Sequence, residues 1–166
     1  MNSPQINAIA AVSNNLVIGS EGKIPWHVPE DLKSFKRITE NHPIIMGWNT
    51  WKSLKGPLPK RSHFVVTRNH QNEKNLEITI CDSLIGAILI ASRFYNQIFI
   101  IGGASIYEQS IAFVDRLYLT RVDVWVENGD AFFPKDWGKY FDHENVQCTK
   151  IPDPSINCDL LVYNKK

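Results

Sequence analysis

The chain has 166 residues, 43% hydrophobic and 21% charged, with a formal net charge of +1, which predicts one ordinary globular domain with room for a substantial core. A charge so near zero speaks against a broad electrostatic footprint for nucleic acid or an anionic membrane, and no apolar run is long enough for a membrane span or shaped like a leader. Cys81, Cys148 and Cys158 lack metal-ligand spacing and fit a reducing compartment, taken as the cytoplasm; a Cys148–Cys158 bridge is not expected.

Residues 6–12 read as a buried strand, apolar on both faces. Residues 13–28 are rich in Asn, Gly, Ser and Pro and predict a long loop of the kind that is functional or disordered in compact domains. Pro29 followed by Glu30 and Asp31 is a helix start, with the helix running to about residue 40. Val28, Leu32, Phe35 and Ile38 recur at helical spacing and predict a core-facing stripe, while Glu30, Lys33, Lys36 and Arg37 point to water. Asp31 falls on the edge of that stripe, one turn before Phe35. A carboxylate there costs free energy unless a cation or a donor meets it. That makes Asp31 the first candidate for a working group, although a first-turn acid complementing the helix dipole reads the same way on its own.

Further along, 43–47 predicts a short strand, 50–54 a short helix, 63–67 a strand and 77–81 another. Asp82 or Ser83 caps a helix running to about Arg93. Residues 98–101 are a fully buried strand, 104–111 a helix and 116–122 a strand, and two strands after 144 pair as a hairpin. Strands alternating with helices predict an α/β fold with a mostly parallel sheet covered on both faces. Gly102-Gly103 sits between a buried strand and a helix, where a bound group can approach the backbone and free amides can hold phosphate. It is not the GxGxxG fingerprint of a standard dinucleotide site, and a tight strand-to-helix turn needs the same residues. Gly47-Trp48-Asn49-Thr50 is a second helix start, able to bring Thr50 and its amides to a phosphate. Thr67-Arg68 ends a strand with a hydroxyl and a guanidinium suited to a phosphomonoester.

Several strings stand in order: Ile9-Ala10-Ala11-Val12, Val17-Ile18-Gly19, Ile24-Pro25-Trp26, Pro29, Asp31-Leu32, Phe35-Lys36, Ile45-Met46-Gly47 and Pro57-Leu58-Pro59-x-Arg61. After them come Val65-Val66-Thr67-Arg68, Ile101-Gly102-Gly103-Ala104-x-Ile106-Tyr107-Glu108, Leu117-Tyr118-Leu119-Thr120 and Gly129-Asp130-x-x-Phe133-Pro134. Each alone is weak. Together, from about residue 6 to the C-terminus, they closely resemble bacterial-type dihydrofolate reductase.

The resemblance implies a single domain over residues 1–166: one eight-stranded, mostly parallel sheet with an antiparallel C-terminal strand, flanked by about four helices. It implies a monomer that reduces 7,8-dihydrofolate with NADPH and binds antifolate inhibitors. Asp31 would meet the pterin ring with Thr120 behind it, Trp26 would hold a water beside it, and Ile24 would touch the nicotinamide. Ile9, Ala11, Leu32, Phe35, Leu54, Leu58 and Ile101 would wall the substrate, Arg61 would pair with its α-carboxylate, and Lys36 would add a weaker charge. Cofactor contacts would come from Ala11, Ile18, Gly19, Trp48, Asn49, Thr50, Thr67, Arg68, Gly102, Gly103, Ala104, Ser105, Ile106 and Tyr107, across a cis Gly102-Gly103 bond. Gly19, Glu21 and Asp130 would gate the loop, Asp130 bonding to backbone near Gly19. One departure stands out: family members often carry a basic residue at position 48 or 49, where this chain has Trp48-Asn49, so cofactor affinity leans on Arg68. A pyrimidine reductase of flavin synthesis and a non-catalytic nucleotide-binding module are the competing readings. Arg61 with the Trp26, Asp31 and Phe35 set argues against the first, and retention of Asp31 against the second.

Overall fold

The unbroken apolar run near the N-terminus becomes the inside of a sheet. In the computed structural model, which describes residues 2–69 and 77–166, β1 (Gln5–Val12) pairs in parallel with β6 (Gln97–Gly102) on one side and β7 (Arg116–Val122) on the other. A strand flanked on both edges and covered on both faces needs apolar residues throughout, and Ala8, Ile9, Ala10 and Val12 are buried. Outward from β6 lie β3 (Ile44–Gly47), β4 (His63–Val66) and the edge strand β5 (Ile78–Cys81), all parallel. Beyond β7 lie β10 (Cys158–Asn164) and β9 (Gln147–Lys150). The order is β5-β4-β3-β6-β1-β7-β10-β9, and only β10 runs against the rest. The single eight-stranded sheet and its reversed last strand are as expected.

Four α-helices among the described residues cover the faces: α1 (Pro29–Thr39), α2 (Trp48–Ser53), α3 (Leu84–Ala91) and α4 (Ala104–Ser110). From β1 the chain leaves through α1 toward β3; from its neighbour β6 it leaves through α4 toward β7 on the other side. Adjacent strands that send the chain in opposite directions open a crevice at their carboxyl ends. Among the described residues no helix is long and apolar enough to cross a membrane.

Four sequence expectations need correction. The loop 13–28 contains a strand, β2 (Val17–Gly19), paired antiparallel with β8 (Ala131–Phe132) in a small second sheet. The short second helix starts at Trp48 rather than Thr50. α3 stops at Ala91, and its cap is Ser83, whose hydroxyl accepts from Gly86 N. Leu32 is 53% exposed instead of core-facing, because the crevice beside α1 leaves that flank of the helix without a facing side chain. Cys148 stands opposite Leu161, not Cys158, and all three cysteines are free.

Candidate active site

The floor of the crevice is the carboxyl half of three adjacent strands: Ile9 and Ala11 on β1, Ile101 on β6, Thr120 on β7. α1 lies across it, and Asp31 in its first turn reaches down to the sheet. Thr120, itself buried, donates its hydroxyl to Asp31 Oδ1 at 2.7 Å. Burial pushes the Asp31 carboxyl above its ordinary value; the Thr120 hydroxyl opposes that shift but is the smaller cause. Among the described residues the side chain meets that one neutral donor and no cation. Such a group has spare acceptor capacity aimed into a cleft, which is what a ligand carrying paired N–H donors needs.

One turn further along α1, Phe35 joins Ile9, Leu54, Leu58 and Ile101 in a single apolar cluster that continues into Met46, Trp51 and Phe99. Five of the seven wall residues expected from the sequence are thereby brought together. Ala11 and Trp26 belong to the adjoining cluster built on Val28, Val122, Ile151 and Leu160. Leu32 forms the exposed lip. At the far end of α1, Arg61 lies with its guanidinium 5.9 Å from the Phe35 ring centre. It is anchored by Nη1 donating to Thr39 Oγ1 at 3.2 Å and Nε donating to Pro59 O at 3.0 Å. Lys36, four residues after Leu32, is exposed on the same flank of α1 as that lip. Asp31, Phe35 and Thr39 are successive i+4 positions, so one helix face offers in turn an acid, an aromatic wall and the support of a cation.

On the other side of the floor, β3, β4 and β6 end side by side in Gly47, Thr67-Arg68 and Gly102-Gly103. The Gly102-Gly103 bond is cis, and Gly102 has φ +118. A Cβ on Gly102 would come within 3.1 Å of the Tyr107 ring, and one on Gly103 within 3.2 Å of Thr50 Oγ1. A bare backbone at this point leaves a cradle that side chains would fill. The amides of Ala104 and Ser105 follow, with Trp48, Asn49 and Thr50 opposite at the start of α2. Ile106 and Tyr107 turn inward: both are buried, and Tyr107 donates its hydroxyl to Ile9 O at 2.6 Å, fixing α4 to the floor. Thr67 bonds to the backbone of Asn69, and Arg68 stands exposed at the rim.

The rim over this cradle is the loop carrying Ile18, Gly19, Glu21 and Ile24. Asp130 Oδ2 accepts from Glu21 N at 2.9 Å, and Asp130 N donates to Gly19 O at 3.1 Å. The expected Asp130 contact is thus present from both its side chain and its backbone. Sequence reasoning missed how far the clasp extends. Ser20 donates to Asn128 O, and the Asn15 side chain donates to Val126 O while accepting from Val126 N. Asn and Ser in a predicted loop hinted at such bonds, but partners more than a hundred residues away leave no local signal. Ile24 is 55% exposed above the crevice.

Residues 5–165 match the family model described as dihydrofolate reductase. A dihydrofolate reductase of Buchnera aphidicola from Acyrthosiphon pisum is 47% identical over 131 residues, covering 78% of this chain and 79% of that protein. The Bacillus subtilis protein of that name is 37% identical over 97% of this chain and 95% of its own length. Among solved structures, a dihydrofolate reductase from Enterococcus faecalis complexed with NADP(H) and RAB-propyl superimposes with a TM-score of 0.87 at 30% identity, covering 98% and 96% of the two chains.

Proposed function

The chain belongs to the dihydrofolate reductase family, and from that we propose that its crevice reduces 7,8-dihydrofolate to 5,6,7,8-tetrahydrofolate, by hydride transfer to C6 and protonation at N5, supplying one-carbon metabolism. Membership makes it an NADPH-dependent oxidoreductase. The observation that carries the finer reading is the half-buried Asp31 carboxyl, held by Thr120 at 2.7 Å and, among the described residues, by no cation.

The bare Gly102-Gly103 backbone between two helix starts fits an elongated nucleotide, and NADPH, when bound, supplies the hydride. The amides of Ala104 and Ser105, with Thr50 opposite, would hold its phosphates; Thr67 and Arg68 would hold the adenosine 2′-phosphate. Ala11, Ile18 and Ile24 would border the nicotinamide pocket, and the loop held by Asp130 would exclude water from it. Asp31 accepts hydrogen bonds from the pterin ring nitrogen and its 2-amino group. In doing so it orients the ring and raises the basicity of N5, to which water delivers the proton. Phe35, Leu54 and Leu58 confine the aminobenzoyl group, and Arg61 pairs with the α-carboxylate. Antifolate inhibitors that present a paired N–H edge bind at Asp31 by the same logic. Three free cysteines agree with action in the cytoplasm.

A spectrophotometric assay tests this directly: NADPH absorbance falls when dihydrofolate is added to the purified protein. No oxidation under any condition in which the protein is folded refutes the reading. Repeating the assay with NADH, Arg68→Ala weakens NADPH use much more than NADH use, and equal losses would remove Arg68 from the 2′-phosphate.

A further inference from the structure

We infer that His63, outside every substrate or cofactor contact assigned above, is a positioning residue that holds the Leu58–Arg61 turn in the shape that grips the substrate tail. The inference rests on the reading that Leu58 and Arg61 contact that tail. His63 is the first residue of β4 and is 2% exposed. Its ring meets the Trp51 indole edge-on, centres 5.8 Å apart. Both ring nitrogens are spent on one loop: Nε2 accepts from Leu58 N at 2.9 Å, and Nδ1 lies 3.0 Å from Arg61 O. An amide N–H only donates and a carbonyl only accepts. The pair therefore demands a neutral imidazole with its proton on Nδ1. A second proton, on Nε2, would point straight at the Leu58 N–H.

The turn needs such a clip. Pro59 followed by Lys60 at φ +59 is the order of a type II turn, whose third position favours glycine; a lysine held there is strained backbone. On its outer side the turn has one backbone bond, from Asn41 N to Lys60 O at 2.8 Å. Beyond that bond it borders an open hollow of about 400 Å³ lined by Asn41, His42, Lys60, Arg61, Ser62 and Tyr95, so the stem of Arg61 has open space on that side as well. From inside, His63 ties both ends. Releasing it shifts the Leu58 wall and lets Arg61, whose Nε is folded back onto Pro59 O, swing away from Phe35.

The charged groups around the ring are Arg61, which disfavours a second proton, and Glu77, which favours one. Burial is the largest influence and keeps the imidazole neutral, against the hydrogen bond to Arg61 O. The clip therefore loosens as pH falls.

The test compares dihydrofolate with a tail-less dihydropterin on wild type, His63→Phe and His63→Gln. Phenylalanine keeps the packing on Trp51 and removes both bonds, leaving Leu58 N and Arg61 O unpaired. It raises KM for dihydrofolate about ten-fold and leaves kcat and the tail-less KM unchanged. Glutamine carries one acceptor and one donor and restores most of the loss. In wild type, lowering the pH below the ordinary imidazole value of 6.5, toward the depressed value that burial gives His63, raises the ratio of the two KM values. Titration of Asp31 cancels in that ratio, and His63→Gln flattens it. In nitrogen NMR, His63 shows the Nδ1–H tautomer at neutral pH. Equal KM changes for both substrates, a pH-independent ratio in wild type or an Nε2–H tautomer overturns the inference. Arg61→Ala on the same substrates separates the two claims. No KM change there overturns the tail reading and this inference together; a raised KM there with none for His63→Phe overturns this inference alone.

Discussion

Two carboxylates, Asp31 and Asp130, stand on opposite sides of the crevice and are held in opposite ways. Asp31 is half-buried on a helix clamped to the sheet, and its one side-chain partner among the described residues is a buried hydroxyl. Asp130 is exposed on a loop, and its partners are backbone groups of another loop. A bond in the low-dielectric floor is strong and its loss is not replaced by solvent. A bond at the rim competes with water at every moment, so it contributes little and opens readily. The chemistry therefore sits on the rigid side and the gating on the side that can let go. Substitutions on the floor should cost catalysis without loosening the rim, and substitutions at the rim should cost turnover without altering the pH profile.

The largest expected effect is at Asp31. Asp31→Asn keeps an acceptor for Thr120 and removes the charge, so kcat/KM at neutral pH falls by about 10²–10³ with partial recovery in acid, where the substrate arrives protonated. Stability moves the other way. Between the ordinary carboxyl value of 3.8 and its raised folded value, the folded protein keeps a proton that the unfolded chain has lost. Wild type therefore loses stability as pH rises through that window. Thermal melting of the ligand-free proteins shows the variant melting above wild type at pH 7 and the two converging below about pH 4. A variant that retained full turnover at neutral pH would remove Asp31 from the mechanism.

Next comes Gly129, beside Asp130. A Cβ there would stand 2.6 Å from Val17 Cγ1, and Val17 is fully buried and β-branched, with no freedom to yield. Gly129→Ala therefore pushes β2 and β8 apart and undoes the clasp. Turnover falls about ten-fold through incomplete closure while the pH dependence of kcat/KM keeps its shape. A shifted pH profile would mean that rim and floor are coupled. Thr120→Val should give the reverse pattern. It removes the one donor that lowers the Asp31 carboxyl, so the acid limb moves to higher pH and activity falls several-fold. Loop closure, followed by rapid-mixing fluorescence of cofactor binding, is unchanged.

The same contrast explains what was readable from the chain. The floor was legible because burial and period write themselves into local sequence: the apolar run of β1, the Pro29-Glu30-Asp31 start, the glycines after β6. Leu32 was misread because helical spacing identifies a stripe without saying that a crevice runs along one of its flanks. β2 and β8 were missed because a strand of two or three residues has no period, and the pairing of Val17 with Phe132 joins segments that share no local pattern. His63 read as an unremarked strand residue, since its importance lies in a turn before it and not in its own neighbours' hydropathy. Packing against the core is encoded nearby; polar bonds between distant loops are not.

The smallest expected effect is at Asp130 itself. Asp130→Ala deletes the acceptor of Glu21 N–H but leaves the backbone bond to Gly19 O, and the freed amide lies in reach of water. A partly exposed hydrogen bond contributes roughly 0.5–1.5 kcal/mol, so the closed loop loses at most about ten-fold in population. Turnover falls about three-fold, with melting temperature and Asp31-dependent pH profile unchanged. Glu21 holds φ +51 at the other end of this bond, a conformation that an unbonded glutamate would leave. Glu21→Gly, which accepts that φ without strain, should therefore recover part of the loss in the Asp130→Ala background. If the double variant is no faster than Asp130→Ala alone, the carboxylate is not what holds the loop in that shape, and the clasp rests on the backbone pairing of β2 with β8.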